Sequence, residues 1–161
     1  MPFKKILVPY DGSKQSDNAL ERAAELAASL KDNDVQLVLL HVVDAIPTPV
    51  VFEGLRSRKT GRAITMSEHM EEIYEEMEES AMNMLESKKQ GKTETGFTIK
   101  TTVQHGKPAD KIVEYASKEG IDLIIVGNVG AGTKLSKLIK NLGSVSRTVS
   151  EKASCPVMII H

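Results

Sequence analysis

The residues best suited to chemistry lie in the last quarter of the chain. Ile121-Asp122-Leu123-Ile124-Ile125-Val126 runs into a turn containing Gly127, Gly130 and Gly132, and Gly143-Ser144 then opens an apolar-periodic segment. An apolar strand that empties into a glycine turn, with a second glycine at a helix start, is suited to holding phosphate. Glycine lets the backbone come close to an anion. A helix N-terminus supplies unpaired N–H groups at the positive end of its dipole. These features point to a nucleotide-binding domain.

Other chemistry-bearing residues point nowhere as sharply. Gly127-x-x-x-x-Gly132-Thr133-Lys134 has the last two residues of a Walker A loop in reversed order, and it does not follow the first strand. His41, His69, His105 and His161 are scattered without metal-ligand spacing, and Cys155 beside Pro156 has no activating base nearby in sequence. Met70, Met77 and Met84 share a helical stripe that reads as core or interface, with Glu71-Glu72 and Glu75-Glu76 on its solvated face. Arg56, Arg58, Lys59 and Arg62 read either as a solvated loop or as a lid over phosphates.

Elements that would position the glycines follow from periodicity. Lys4 to Tyr10 reads as a buried strand ended by Pro9 and the turn Asp11-Gly12-Ser13. Ala19, Leu20, Ala23, Leu26, Ala27 and Leu30 fall at helical spacing and predict a helix over roughly 16–30. The apolar run 35–43 has the composition of a strand covered on both faces. About 45–65 is irregular, with Pro47, Pro49, Gly54 and Gly61, and reads as a long flexible connection. Helices are expected over about 67–88, 108–118 and 143–152. Between and after them come a half-exposed alternating strand from Phe97 to Val103, a strand at 121–126 and a last strand at 156–160.

Alternation of this kind implies one α/β domain over residues 1–161. Its expected form is a flavodoxin- or Rossmann-like doubly wound five-stranded parallel sheet, with order 3-2-1-4-5 and helices on both faces. Ligands of such sheets sit outside the carboxyl ends of the strands, where the order reverses. Here that is between strands 1 and 4, the two that end in Pro9-Tyr10-Asp11-Gly12-Ser13 and in the glycine turn. Motif and topology select the same crevice.

Composition adds limits. With 161 residues, 27% charged and a formal net charge of −1, the chain lacks the basic excess of a general nucleic-acid or membrane-surface binder. Aromatics are 4% and tryptophan is absent, which removes the stacking platforms of many single-strand binders. A single cysteine, no signal-peptide pattern at Met1-Pro2-Phe3-Lys4-Lys5-Ile6 and no apolar run of about 18 residues suggest a cytoplasmic, soluble protein.

Taken together and in order, Val8-Pro9-Tyr10-Asp11-Gly12-Ser13, His41-Val42-Val43, Gly127-x-x-Gly130, Gly143-Ser144-Val145 and Cys155-Pro156-Val157 resemble the universal stress protein family over almost the whole chain. The resemblance implies binding of ATP, ADP or AMP, with Mg²⁺ carried on the phosphates. It places Pro9, Asp11 and Val42 near base and ribose, and Gly127, Gly130, Gly143, Ser144 and Val145 at the phosphates, with Val126 lining the pocket. Asp11 would accept hydrogen bonds from ribose or an adenine amino group, and Ser144 would donate to a phosphate oxygen. Residues 131–142, twelve where the family's pattern has nine, make the glycine loop three residues longer.

The resemblance also implies a homodimer through the apolar C-terminal strand 156–160, an edge strand of the kind that tends to pair. A regulatory or stress-response role through nucleotide-dependent conformation or partner binding is the expected function, with slow hydrolysis conceivable and no catalytic residue assigned. The alternative is a dimeric interaction module that has lost its nucleotide. Related enzymes that carry Ser-Gly-Gly-x-Asp-Ser after strand 1 do not match Asp11-Gly12-Ser13-Lys14-Gln15-Ser16. A receiver domain would need paired acids there and an Asp where Gln104-His105-Gly106 stands.

Overall fold

The computed structural model describes residues 3–30, 34–47, 54–92, 96–129 and 142–161. Strands and helices alternate along the chain. They are β1 (Lys5–Pro9), α1 (Lys14–Ser29), β2 (Gln36–Val43), α2 (Met66–Gln90), β3 (Thr98–His105), α3 (Pro108–Glu119), β4 (Leu123–Gly127), α4 (Ser144–Lys152) and β5 (Val157–Ile160). The five strands form one parallel sheet in the expected order β3-β2-β1-β4-β5.

The side-chain period of two divides each central strand between two cores. Ile6, Val8, Leu37, Leu39 and Ile125 point to the face covered by α1 and α2, where Ala19, Leu20, Ala23, Ala27 and Leu85 meet them. Leu7, Val38, Leu40, Ile124 and Val126 point the other way, against Ile112, Tyr115 and Ala116 of α3 and Val149 of α4. Each fully buried Leu or Ile contributes about 1.5–3 kcal/mol of hydrophobic stabilisation, so the central strands hold the layers together. Edge strand β3 pairs only with β2 and is half-exposed, as its polar alternation predicts. At the opposite edge, β5 pairs only with β4 among the described residues, and Met158 stays 41% exposed.

Helix starts follow from local chemistry. Ser13 caps α1 by accepting from the Ser16 N–H, so the helix begins two residues before the predicted Ser16. At α2, Thr65 and Glu68 form a reciprocal capping box. Pro108, which lacks an N–H, opens α3. The Asp122 carboxylate accepts from the backbone N–H groups of both Lys4 and Lys5 and fixes the entry to β1. Burial pushes the Cys155 thiol up, in keeping with a packed residue.

Residues 54–65 have local structure that their irregular composition does not suggest. Arg56 and Ala63 form an antiparallel bridge, and the segment lies along α2. Buried Ser57 donates from Oγ to Glu72 at 2.5 Å. Arg58 pairs with Glu76, Lys59 with Glu75 and Arg62 with Glu68, while Arg56 donates to the Gly61 carbonyl. Three of the four basic residues expected either in solvent or over phosphates are therefore engaged with the acidic face of α2, because the two carry complementary charge. Exposed pairs of this kind contribute at most about 1 kcal/mol each. None of the four basic residues lines the cavity described next.

Candidate functional site

At the C-terminal edge of the sheet, where β1 lies between β2 and β4, a cavity of about 420 Å³ opens. Of the nine residues expected at a ligand, eight line it. Pro9 and Asp11 come from the end of β1, Val42 from β2, Val126 and Gly127 from β4, and Gly143, Ser144 and Val145 from the start of α4. Gly130 lies outside the described residues, as do Lys134 and Lys137.

The turn after β1 is built around Asp11. Its carboxylate accepts from the Ser13 N–H at 3.0 Å, and Gly12 between them has φ +78°, the left-handed region glycine adopts without strain. The peptide groups of Tyr10 tie this turn to β2. Its N–H donates to the Leu40 carbonyl at 2.8 Å, and its carbonyl accepts from His41 Nδ1 at 2.8 Å. Because a carbonyl can only accept, Nδ1 of His41 carries a proton.

The opposite wall is the junction of β4 and α4. The Gly143 N–H donates to the Asn128 carbonyl at 2.7 Å, and the same carbonyl accepts from buried Ser146 Oγ at 2.8 Å. Asn128 is itself held by its N–H on the Ile160 carbonyl. Residues 128 and 143 are thus joined directly, which holds the start of α4 beside the end of β4. The N-cap residue of α4 is Gly143, which makes no side-chain cap. The first N–H groups of α4 thus receive no cap from the N-cap residue, at a place where Gly143, Ser144 and Val145 line the cavity.

Packing alone requires glycine at 127. A Cβ built there would sit 2.8 Å from Gln15 Cβ, 2.9 Å from Gln15 C and 3.0 Å from Gln15 O. The backbone of the first turn of α1 occupies the space a side chain would need. Gly127 lets α1 lie against β4, which sets the separation of the two loops that flank the cavity.

Other lining residues escape the sequence reading. Asp44 stands just past β2, with its carboxylate accepting from the Ala45 N–H. Pro108 and Ile112 of α3 close the side of the cavity. Their signal was present, since a parallel α/β sheet brings every strand-to-helix connection to this edge, and Pro108 marks the start of one. In sequence His41 stands out only as part of the motif His41-Val42-Val43, and Val129 and Ser146 do not stand out. Among the described lining residues there are two carboxylates, Asp11 and Asp44, and no Lys or Arg. The N-terminus of α4 brings backbone N–H donors to this lining through Gly143, Ser144 and Val145. Among the described residues no group of His, Cys, Asp and Glu could hold a metal ion, and no helix is long and apolar enough to cross a membrane.

Comparison with known proteins gives consistent relatives. The sequence model of the universal stress protein family matches residues 2–161. Universal stress protein YxiE of Bacillus subtilis (strain 168) is 35% identical over 161 residues, covering 99% of each chain. The solved structure of protein MJ0577 superposes with a TM-score of 0.76 at 29% identity, over 99% of this chain and 96% of that one. A universal stress protein solved in complex with cAMP superposes with a TM-score of 0.62 at 25% identity, over 100% and 98% of the two chains. Strand order, whole-length match and identity to named relatives agree, and the chain belongs to the universal stress protein family.

Proposed function

We propose that this protein binds an adenine nucleotide in the cavity between the ends of β1 and β4, and that occupancy regulates its conformation or partners in a stress response. The observation that carries the reading is the meeting, in one cavity, of the Asp11 turn and the N-terminus of α4, whose N-cap residue is a glycine. The first offers acceptors to ribose and amino groups, and the second offers N–H donors to phosphate. A volume of about 420 Å³ lies within the range of small-molecule sites. The cAMP bound by a relative is of the same ligand class.

In this reading Pro9, Asp11 and Val42 hold base and ribose, Val126 forms the wall, and Gly143, Ser144 and Val145 receive the phosphates. Gly127 contributes through the seating of α1. ATP, ADP and AMP are the candidate ligands, with Mg²⁺ carried on the phosphates of the longer ones, in a cytoplasmic protein. Calorimetric titration of nucleotide-free protein with AMP, ADP and Mg-ATP tests it. Ser144→Ala is expected to bind about fivefold more weakly, the effect of one hydrogen bond of roughly 1 kcal/mol, with unchanged thermal stability. If none of the three nucleotides binds wild-type protein, the nucleotide reading fails and a nucleotide-free interaction module replaces it.

The same reading includes a homodimer through β5. It is supported by the apolar strand Val157–Ile160, its single pairing partner in the sheet and the exposure of Met158. An unpaired apolar edge of this kind favours association with a second copy. Met158→Lys is expected to shift the protein to monomer in sedimentation, and an unchanged mass would place any association elsewhere.

A further inference from the structure

The cavity is buttressed from a helix that does not line it. Tyr10 is 2% exposed and lies at the end of β1, directly before Asp11. Its hydroxyl donates to Asp17 Oδ1 at 2.6 Å, and the same oxygen accepts from Lys88 Nζ at 2.7 Å. Lys88 reaches across from α2, and its ammonium also stands 5.7 Å from the centre of the Tyr10 ring, within cation–π range. One helical turn earlier, Met84 packs on the same turn. Its sulfur lies 3.1 Å from where a Cβ of Gly12 would be. Met84 and Lys88 are four residues apart and share a face of α2. That face therefore touches the Asp11 turn at Gly12 and its anchor at Tyr10.

Charge states reinforce the arrangement. The Lys88 ammonium, followed by the Tyr10 hydroxyl, lowers the pKa of the Asp17 carboxyl. Asp17 in turn raises that of Lys88. Burial, then the hydrogen bond to Asp17, raises that of the Tyr10 phenol. The donor, acceptor and cation thus keep their roles at neutral pH. Neither Asp17 nor Lys88 is among the residues lining the cavity.

We propose that Lys88 and Asp17 are positioning residues for the nucleotide site, holding Tyr10 and with it the Asp11 turn in the geometry that receives the ligand. The inference rests on the nucleotide-binding reading. Its basis is a single carboxylate oxygen shared by a buried tyrosine of the site and a lysine of a different helix. Holding the turn before the ligand arrives removes an ordering cost from binding.

The test uses the full chain and the variants Lys88→Met, which keeps the stem and removes the charge, and Lys88→Arg, which keeps the charge. AMP and Mg-ATP are titrated calorimetrically, with thermal unfolding measured on the same samples. Lys88→Met is expected to bind AMP and Mg-ATP about fivefold more weakly, with its unfolding midpoint within about 3 °C of wild type. Lys88→Arg is expected to recover affinity to within about twofold. Affinity of Lys88→Met equal to wild type overturns the inference and leaves the nucleotide reading standing, as does failure of Lys88→Arg to recover. Absence of binding by wild type overturns both. Should Lys88→Met fail to fold, Tyr10→Phe decides, since it removes only the hydroxyl. Binding about threefold weaker supports the inference, and unchanged binding overturns it.

Discussion

Replacing Gly127 by alanine is expected to destabilise the fold by about 2–3 kcal/mol, even in the absence of any nucleotide. The added methyl meets Gln15 at 2.8–3.0 Å through the backbone C and O as well as Cβ. No side-chain rotation relieves a contact with backbone. The first turn of α1 would have to move. That turn is fixed on one side by the Ser13 cap and the Asp11 turn, and along its length by Ala19, Ala23 and Ala27, all fully buried. Small side chains at those positions seat α1 close to the sheet and leave no slack. Overpacking in such a place costs about 1–3 kcal/mol; rigid backbone on both sides puts this case at the upper end. For a chain of this size each kcal/mol lowers the unfolding midpoint by roughly 2–4 °C, so a fall of about 4–12 °C is expected by calorimetry or circular dichroism. If Gly127 served only to admit a phosphate, the midpoint of nucleotide-free protein would not change and affinity alone would fall.

That residue also marks where the sequence was legible and where it was not. The alternation of periods two and 3.6 gave the element order, the doubly wound fold type supplied the strand order, and motif and topology together led to the crevice between β1 and β4. Helix and strand ends moved by one to two residues, and at the helix starts caps decide them. Ser13, and not the predicted Ser16 region, starts α1, since its hydroxyl reaches the Ser16 N–H. Contacts between elements distant in sequence carry no periodic signal. The pairing of Arg58 with Glu76 and Lys59 with Glu75 joins two charged sets that look independent when read along the chain. The shared carboxylate of Asp17 is of the same kind, linking residues 10 and 88 through residue 17. Gly127 stands out in the sequence as a strand-end glycine, yet the space it protects belongs to Gln15, more than a hundred residues earlier.

Asp11→Asn is expected to weaken nucleotide binding by roughly tenfold to a hundredfold while leaving the unfolding midpoint of the free protein within about 2 °C, and the pairing of those two results is what makes the variant informative. Asp11 has two separable tasks. In the free protein its Oδ1 accepts from the Ser13 N–H and shapes the turn that leads into α1. An amide oxygen can take over that bond, because asparagine forms the same kind of side-chain turn as aspartate. Towards a ligand the carboxylate would accept from ribose hydroxyls or an amino group, and there the amide is a poorer partner. It loses the charge, and half of its polar surface becomes a donor. A hydrogen bond to an ionised group contributes about 1.5–3 kcal/mol, which corresponds to the stated loss of affinity at 1.4 kcal/mol per factor of ten. Parallel titrations with adenosine, AMP and Mg-ATP locate the loss. A similar factor for all three assigns Asp11 to the nucleoside end, whereas a loss confined to the phosphorylated ligands would move it to the phosphate end. A lowered unfolding midpoint with unchanged affinity would reduce Asp11 to a turn-former, and recognition of the nucleoside would then fall to other lining residues such as Pro9, Val42 and Asp44.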